Sequence, residues 1–240
     1  YKTFGFLPID TPIIELSEVL LAKAGGETEK QIYRFNKGDT DLSLRFDLTV
    51  PLAKYVAKNY GSLSFPFRRY QIGKVYRGER AQKGRYREFY QCDIDVIGKE
   101  NLSVKYDAEV PCVMSKSLKE IGIENFKIKI NNRKVLFGFI QSLNLDCDYN
   151  EVVRIIDKFD KIGKENFVAC LKDLQINDEN CEKSLNFIEK SGNNCEKIEF
   201  LRNLNIASAD FNKGVEELEE VLSVVKSFGE EENFEIDFKI

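Results

Sequence analysis

Apolar and polar residues alternate most cleanly in two stretches of the first part of the chain. From Leu42 to Thr49, Leu42, Leu44, Phe46 and Leu48 point one way, and Ser43, Arg45, Asp47 and Thr49 the other. That is the period of a strand. Pro51 then suits the first turn of a helix, with Thr49 placed to cap it. The second stretch, Val75 to Gly98, reads as strand, long loop, strand. In its second strand Tyr90, Cys92, Ile94 and Val96 share one face and are expected in the core; Phe89, Gln91, Asp93 and Asp95 share the other. The connecting loop, Gly78 to Arg87, has ten residues, against roughly two to five for a plain hairpin.

Upstream, Gly5 to Glu15 reads as an edge or interface strand with Pro12 inside an apolar run. Beyond Lys105 the spacing turns helical. Lys105–Ile121 places Ala108, Val110 to Val113 and Leu118 inward, and Phe126–Ile130 is a short strand. Asn131 or Asn132 can cap a helix starting near Arg133. Amphipathic helices are expected over Glu151–Lys161, Phe167–Leu174, Cys181–Lys190 and Val215–Phe228, and a last strand over Phe234–Ile240. All five prolines lie at or before Pro111, and Cys147–Val225 is rich in Lys and Glu. This shift predicts an α+β chain, mixed sheet and helix first and mainly helical afterwards.

With 240 residues the chain can hold one large domain or two modest ones. Its 42% apolar content is ordinary for a globular protein. No stretch approaches a membrane span, so no membrane partner is expected. No secretory signal stands at Tyr1, and without an initiator Met the natural start is expected to be missing. The six cysteines are scattered with no C-x-x-C pair, which fits a reduced, cytoplasmic setting. The chain has no histidine. That excludes every His-based triad or general base, and a zinc site would need cysteines alone. Chemistry must run on Arg, Lys, carboxylates, Tyr or Cys. Direct transfer onto a phosphate, which relies on positioning and charge stabilisation, fits that restriction. The net charge of −4 argues against a dedicated nucleic-acid module, though it allows a local basic surface.

The strongest local basic surface is the long loop. It holds Arg80, Lys83, Arg85 and Arg87, with Arg77 at its entry, Arg68 and Arg69 upstream, and Glu79 and Glu88 at its edge. These are anion-binding forks. The Phe89, Gln91, Asp93, Asp95 face suits a ligand with a flat ring and a cationic or N–H-bearing part. A basic loop can equally be solvated, and a polar face can equally meet water; residue types leave both readings open.

The run KGRYREFYQCDID, within VYRGERAQKGRYREFYQCDIDVIG, resembles motif 2 of the class II aminoacyl-tRNA synthetases, most closely that of the histidyl-tRNA synthetase family. GFLPIDTPIIE looks like motif 1, which builds the dimer interface in that class. RFDLTVP resembles the segment that binds the α-amino group of histidine, and NNRKVLFGFI resembles the entry to the family's helical insertion. The resemblance covers the whole chain. It implies a class II-type mixed and antiparallel sheet flanked by helices. Residues 1–131 would be a partial catalytic core, 132–232 a helical insertion and 233–240 a strand returning to the core.

The implied activity is that of a histidine–tRNA ligase: histidine and ATP give histidyl-adenylate and pyrophosphate, then the aminoacyl group passes to tRNA(His). By similarity, Arg77 contacts the α-phosphate and the histidine carboxylate attacking it, and is the catalytic residue. Glu79 serves the ATP side, at adenine or metal; Arg85 reaches the γ-phosphate; Phe89 stacks on adenine. Asp47, Leu48, Thr49 and Gln91 surround the amino acid, and Asp95 accepts an N–H from the imidazole. No protein metal site is implied beyond Mg2+ bridging the phosphates, with Glu79 within its reach. Asp95 stands where many family members carry Glu, and Gly78 where many carry His, which removes any side-chain role there. A homodimer is implied. The family's RGLDYY-like segment, motif 3 and anticodon-binding domain are not in the sequence, so the chain alone is expected to be essentially inactive, since each missing group of this kind costs roughly 3–4 kcal/mol of transition-state stabilisation. The second reading is the regulatory subunit of ATP phosphoribosyltransferase, a histidine-sensing relative. A tRNA-binding module of a stress kinase ranks lower, because such modules degrade motif 2.

Overall fold

The computed structural model describes residues 1–22, 27–80 and 82–240, so Ala81 of the basic loop lies outside the described residues. The chain forms two compact units, Tyr1–Leu102 and Ser103–Ile240.

In the first unit, β1 (Leu7–Pro8), β2 (Ile14–Leu16), α1 (Ser17–Leu21), α2 (Glu27–Gln31), β3 (Arg34–Lys37), β4 (Thr40–Leu44), α3 (Thr49–Asn59), β5 (Phe67–Tyr76) and β6 (Glu88–Ile97) follow one another. β1 pairs parallel with β5, and β5 antiparallel with β6. β4 lies between β2 and β3, antiparallel to both. The apolar run around Pro12 is therefore two short strands, with Pro12 in neither. A small core of Leu52, Val56 and Phe67 lies under α3.

Three expectations change here. First, α3 starts at Thr49, not at Pro51, and Thr49 makes no capping bond. Asp47 does the capping: its Oδ1 accepts from the N–H groups of Thr49 and Val50, each at 3.0 Å. A carboxylate at a helix N-terminus also meets the positive end of the dipole. Second, the alternation in β6 is real, but two of the expected core residues lie outside. Tyr90 is 64% exposed and Cys92 is exposed, whereas Phe89, Gln91, Asp93 and Asp95 are half-buried, as are Ile94 and Val96. The partner strand gives the reason. On β5, Phe67, Arg69, Gln71, Gly73 and Val75 are buried, and they stand directly opposite Ile97, Asp95, Asp93, Gln91 and Phe89. Directly opposed residues share a face, so β6 must turn its polar residues inward. Third, the same holds at β4 and just beyond it: Ser43 and Arg45 are buried, while Leu42 and Leu44 are only half-buried.

The second unit is mainly helical. It comprises α4 (Lys105–Glu120), β7 (Ile128–Ile130), α5 (Arg133–Ser142), α6 (Tyr149–Ile156), α7 (Phe159–Asp173), α8 (Asp178–Ile188), α9 (Asn194–Asn203), α10 (Ala209–Ser227) and β8 (Phe234–Ile236). The helix expected over Glu151–Lys161 is two, broken after Ile156, and α7 is kinked at Gly163 with φ 75° and ψ 170°. The expected strand Phe234–Ile240 ends at Ile236, and α9 went unforeseen. Side chains of Asn132, Asp148, Asn177, Asn193 and Ser208 cap α5, α6, α8, α9 and α10, each occupying a backbone N–H the helix leaves free.

The unit's core is aromatic. Phe139 stacks on Phe187 at 3.9 Å, and Phe187 reaches Phe238 at 4.8 Å. α5 and α10 meet through glycines: a Cβ on Gly138 would lie 2.7 Å from Phe211 Cβ, and one on Gly214 2.9 Å from the Val135 nitrogen. β8 pairs parallel with β7, and the Asn194 side chain serves as a further strand for it, donating to Phe234 O at 2.9 Å and accepting from Ile236 N at 2.8 Å.

Two buried carboxylates hold this unit's polar seams. Burial alone would raise Glu230, but hydrogen bonds from Lys119, Ser115 and Asn233 outweigh it and hold the pKa below the ordinary glutamate value. Burial likewise works against Asp237, yet Lys129 and the Lys239 N–H keep it low. A carboxyl with a depressed folded pKa stabilises the fold above its unfolded pKa, and loses that contribution as pH falls through the folded one. Thermal melts should therefore show the helical unit weakening as pH drops below the ordinary carboxylate range, and Glu230→Gln should flatten that dependence while lowering stability at pH 7.

Candidate active site

The site residues lie in the first unit and rest on the β5–β6 hairpin. Its floor is the inward polar face, built around two buried cations, Arg45 and Arg69. Arg45, 2% exposed, leaves the end of β4 and sends its guanidinium under the hairpin. Nε donates to Lys74 O at 2.7 Å and Nη1 to Thr11 O at 2.6 Å, so one side chain ties the segments before β2 and within β5 together. Thr11 and Gln71 complete the layer: the Gln71 amide donates to Asp10 Oδ1 at 2.9 Å and to Thr11 Oγ1 at 3.1 Å. The guanidinium has room because position 73 is glycine. A Cβ there would come within 2.5 Å of Arg45 Nη2 and 3.6 Å of Leu48.

Along the floor the residues expected at histidine take distinct places. Gln91 faces Gly73 across the ladder, and its Oε1 is buried without a hydrogen-bond partner. Asp95 stands opposite Arg69, with Oδ2 2.5 Å from Nη2. Burial raises the pKa of Asp95 against the pull of Arg69; burial also raises Asp93, which feels Arg69, Asp95, Asp47 and Arg77. Asp93 thus feels four other charged groups on this face. Asp47 is half-buried and held by the start of α3, Leu48 is buried, and Thr49 is exposed, with its N–H on Asp47.

The residues expected at ATP come together at the loop end. Arg77, Glu79, Arg85 and Phe89, with Gly84 and Tyr86, line one cavity of about 360 Å³. Arg77 lies over two rings, its guanidinium 4.4 Å from the Phe46 ring and 5.1 Å from the Phe89 ring, with Nε donating to Phe46 O at 3.3 Å. Two ring faces fix a planar cation without neutralising it. The loop is pinned by the backbone: Arg77 N–H donates to Arg87 O at 2.9 Å, and Gly78 N–H to Gln31 O at 2.7 Å. A Cβ on Gly78 would press on that same carbonyl at 3.1 Å. Arg85, 65% exposed, pairs with Glu79 at 3.2 Å. Among the described residues no group of three His, Cys, Asp or Glu converges as a metal site.

Sequence reasoning missed Arg69, Gln71 and Thr11 as parts of the floor. Arg69 was counted only as upstream positive charge. The signal lay in Phe67, Arg69, Gln71, Gly73 and Val75, an alternation that shares its face with the ligand residues once register is known.

The mixed sheet and helices that carry this polar hairpin have the fold of a class II aminoacyl-tRNA synthetase. The structure overlays that of histidyl-tRNA synthetase from Nostoc sp. PCC 7120 with a TM-score of 0.89 at 39% identity, covering 100% of this chain and 55% of that one. The histidyl-tRNA synthetase family model matches residues 1–239, and the chain belongs to that family. It is 55% identical over 241 residues to the histidine–tRNA ligase of Clostridium tetani, covering 100% of this chain and 55% of that protein. An ATP phosphoribosyltransferase regulatory subunit/histidyl-tRNA synthetase from Bacillus halodurans C is more distant, with a TM-score of 0.79 and 25% identity over 100% of this chain and 61% of that one. The chain thus spans little more than half the length of the curated relatives it matches.

Gly73→Ala tests the floor directly. The Arg45 guanidinium cannot swing aside without abandoning two buried carbonyls, so the substitution should destabilise the first unit by about 1–3 kcal/mol, read as a lowered denaturation midpoint, with the helical unit unaffected.

Proposed function

We propose that the protein containing this chain is a histidine–tRNA ligase that activates L-histidine with ATP to histidyl-adenylate and passes it to tRNA(His). The observation that carries this reading is that the four residues expected at ATP line a single cavity, at the end of the face that holds Gln91, Asp93 and Asp95.

The chemistry follows from the residues. The histidine carboxylate attacks the α-phosphorus in line, pyrophosphate leaves, and negative charge builds on the non-bridging oxygens. Arg77, planar and still charged, meets that charge without reorganising. Phe89 has one ring face against Arg77 and offers the other to adenine. Arg85 reaches the γ-phosphate by leaving Glu79; that pair is exposed and worth about 0–1 kcal/mol, so the exchange is easy. Glu79 is the sole carboxylate among the residues lining the cavity. That donor set suits a magnesium ion held chiefly by phosphate oxygens rather than by the protein. Asp47, with Thr49 and Gln91 beside it, receives the α-ammonium, and Leu48 closes the floor beneath. Asp95 accepts the imidazole N–H.

The remaining parts of the proposal are coarser. Residues 1–131 form part of the catalytic core, 132–232 an insertion and 233–240 its return. The protein works as a cytoplasmic homodimer through the Gly5–Glu15 region. None of the helices described is long and apolar enough to cross a membrane. A histidine sensor of the phosphoribosyltransferase type has no need of an ATP-side set this complete, which makes the ligase the stronger reading.

Histidine-dependent ATP–pyrophosphate exchange by the full-length protein is the test. Exchange should require histidine specifically. Arg77→Ala should lower kcat about 10²–10³-fold, and Phe89→Ala should raise KM for ATP about tenfold, the worth of one base stacked on an aromatic ring. Histidine binding seen by calorimetry without any exchange would favour the sensor instead.

A further inference from the structure

Arg69 is wholly buried and is the largest side chain so enclosed among the described residues. Its guanidinium lies beside Asp95, Nη2 to Oδ2 at 2.5 Å. Yet none of its three nitrogens makes an aligned hydrogen bond, and Asp95 Oδ2 and Gln91 Oε1 are likewise buried without one. Asp93, opposite Gln71, is the second carboxylate whose charge it feels. A buried ion pair contributes little to stability, and an apolar residue of similar volume usually serves the fold as well or better. A stability role therefore does not explain an arginine here.

Its position does. The Asp95 side chain is 32% exposed although the oxygen beside Arg69, Oδ2, is sealed, so its exposed part is not the oxygen that meets the guanidinium. Aspartate is short, and two like charges two residues apart on one face repel. Without a cation beneath them, Asp95 and Asp93 would turn toward water.

We propose that Arg69 is a positioning residue for histidine recognition: held under the hairpin, it fixes Asp95 so that the free carboxylate oxygen meets the imidazole N–H. It touches no substrate and acts through Asp95. An arginine keeps its charge when buried, whereas a buried lysine gives up its proton more readily, so arginine suits a sealed cation under a carboxylate. This inference rests on the reading of Asp95 as the imidazole acceptor, which the experiment tests separately.

The experiment measures KM for histidine and KM for ATP in pyrophosphate exchange by the full-length protein, for Arg69→Met, Arg69→Lys, Asp95→Asn and the double variant Arg69→Met/Asp95→Asn. Arg69→Met should raise KM for histidine about tenfold or more, the worth of one charge-assisted hydrogen bond, and leave KM for ATP unchanged. Arg69→Lys should recover part of that loss. In the Asp95→Asn background, Arg69→Met should add nothing further, because the two act as one unit. If Arg69→Met does not fold, Arg69→Lys decides: a rise in KM for histidine alone supports the proposal, and no rise overturns it. Equal rises in both KM values, or multiplicative effects of Arg69→Met and Asp95→Asn, also overturn it while leaving the Asp95 reading intact. An unchanged KM for histidine in Asp95→Asn overturns both.

Discussion

Arg45 enters the first unit where an apolar residue would ordinarily sit, and much of the hairpin's arrangement follows from accommodating it. A guanidinium at 2% exposure must find partners inside the protein. It finds carbonyls from two separate segments, Thr11 and Lys74, and in satisfying them it fixes how the segment around Thr11 meets β5. Asp10 lies 3.8 Å away but is itself largely exposed, so the charge is met mainly by backbone dipoles. Removing such a group strands the carbonyls it served, which is why a buried cation can be indispensable while adding little net stability. Gly73 belongs to the same constraint, since the ladder can run above the guanidinium only where no Cβ intrudes.

This explains which features could be read in the sequence. Strand alternation gave the correct partition of β6 into two faces, because period two is a local property of the backbone. It did not say which face turns inward. Tyr90, Cys92, Ile94 and Val96 look like core by residue type, and by type alone the inference was sound. What reverses it for Tyr90 and Cys92 is the register with β5, a nonlocal fact: Arg69 opposite Asp95 and Gly73 opposite Gln91. Hydrophobicity decides inside from outside only where the interior is apolar, and here it is a polar floor. Asp47 shows the same limit at smaller scale. Thr49 is a good capping residue, but a carboxylate two positions earlier can accept two backbone N–H groups at once, and it displaced the hydroxyl. In the helical unit the local rules held better, as the cap at Asn132 shows, because its interior is apolar and aromatic. Departures there include the breaks at Asp157 and Gly163, where the periodic pattern runs on through a change of direction, and the helix Asn194–Asn203.

The two units therefore store their stability differently. The helical unit encloses apolar side chains and locks its buried carboxylates with lysines and hydroxyls, so that Glu230 and Asp237 titrate low. The floor of the first unit does the opposite. Burial lifts Asp93 and Asp95, and hydrogen-bonding atoms of Arg69, Gln91 and Asp95 lie sealed without aligned partners. Unsatisfied polar groups of this kind are rare in folded proteins and each costs free energy. They lie beneath the face where the bound ring and ammonium are proposed to sit, so their cost falls on the floor that positions Asp95 rather than on groups a ligand touches.

Rigidity is graded along the same hairpin. At the floor, position is set by buried contacts that cannot relax without exposing a charge. At the mouth, Arg77 is held by two ring faces and one carbonyl, firm in direction but still fully charged. At the loop, Arg85 is engaged by an exposed pair with Glu79 that water can replace. The gradient matches what each part must meet. An amino acid differs from its competitors by a few atoms, and discriminating them requires fixed partners whose loss is expensive. Triphosphate is flexible and highly charged, and it is gathered well by arginines that can move to it. A floor as loose as the loop could not tell one side chain from another, and a loop as rigid as the floor could not release pyrophosphate.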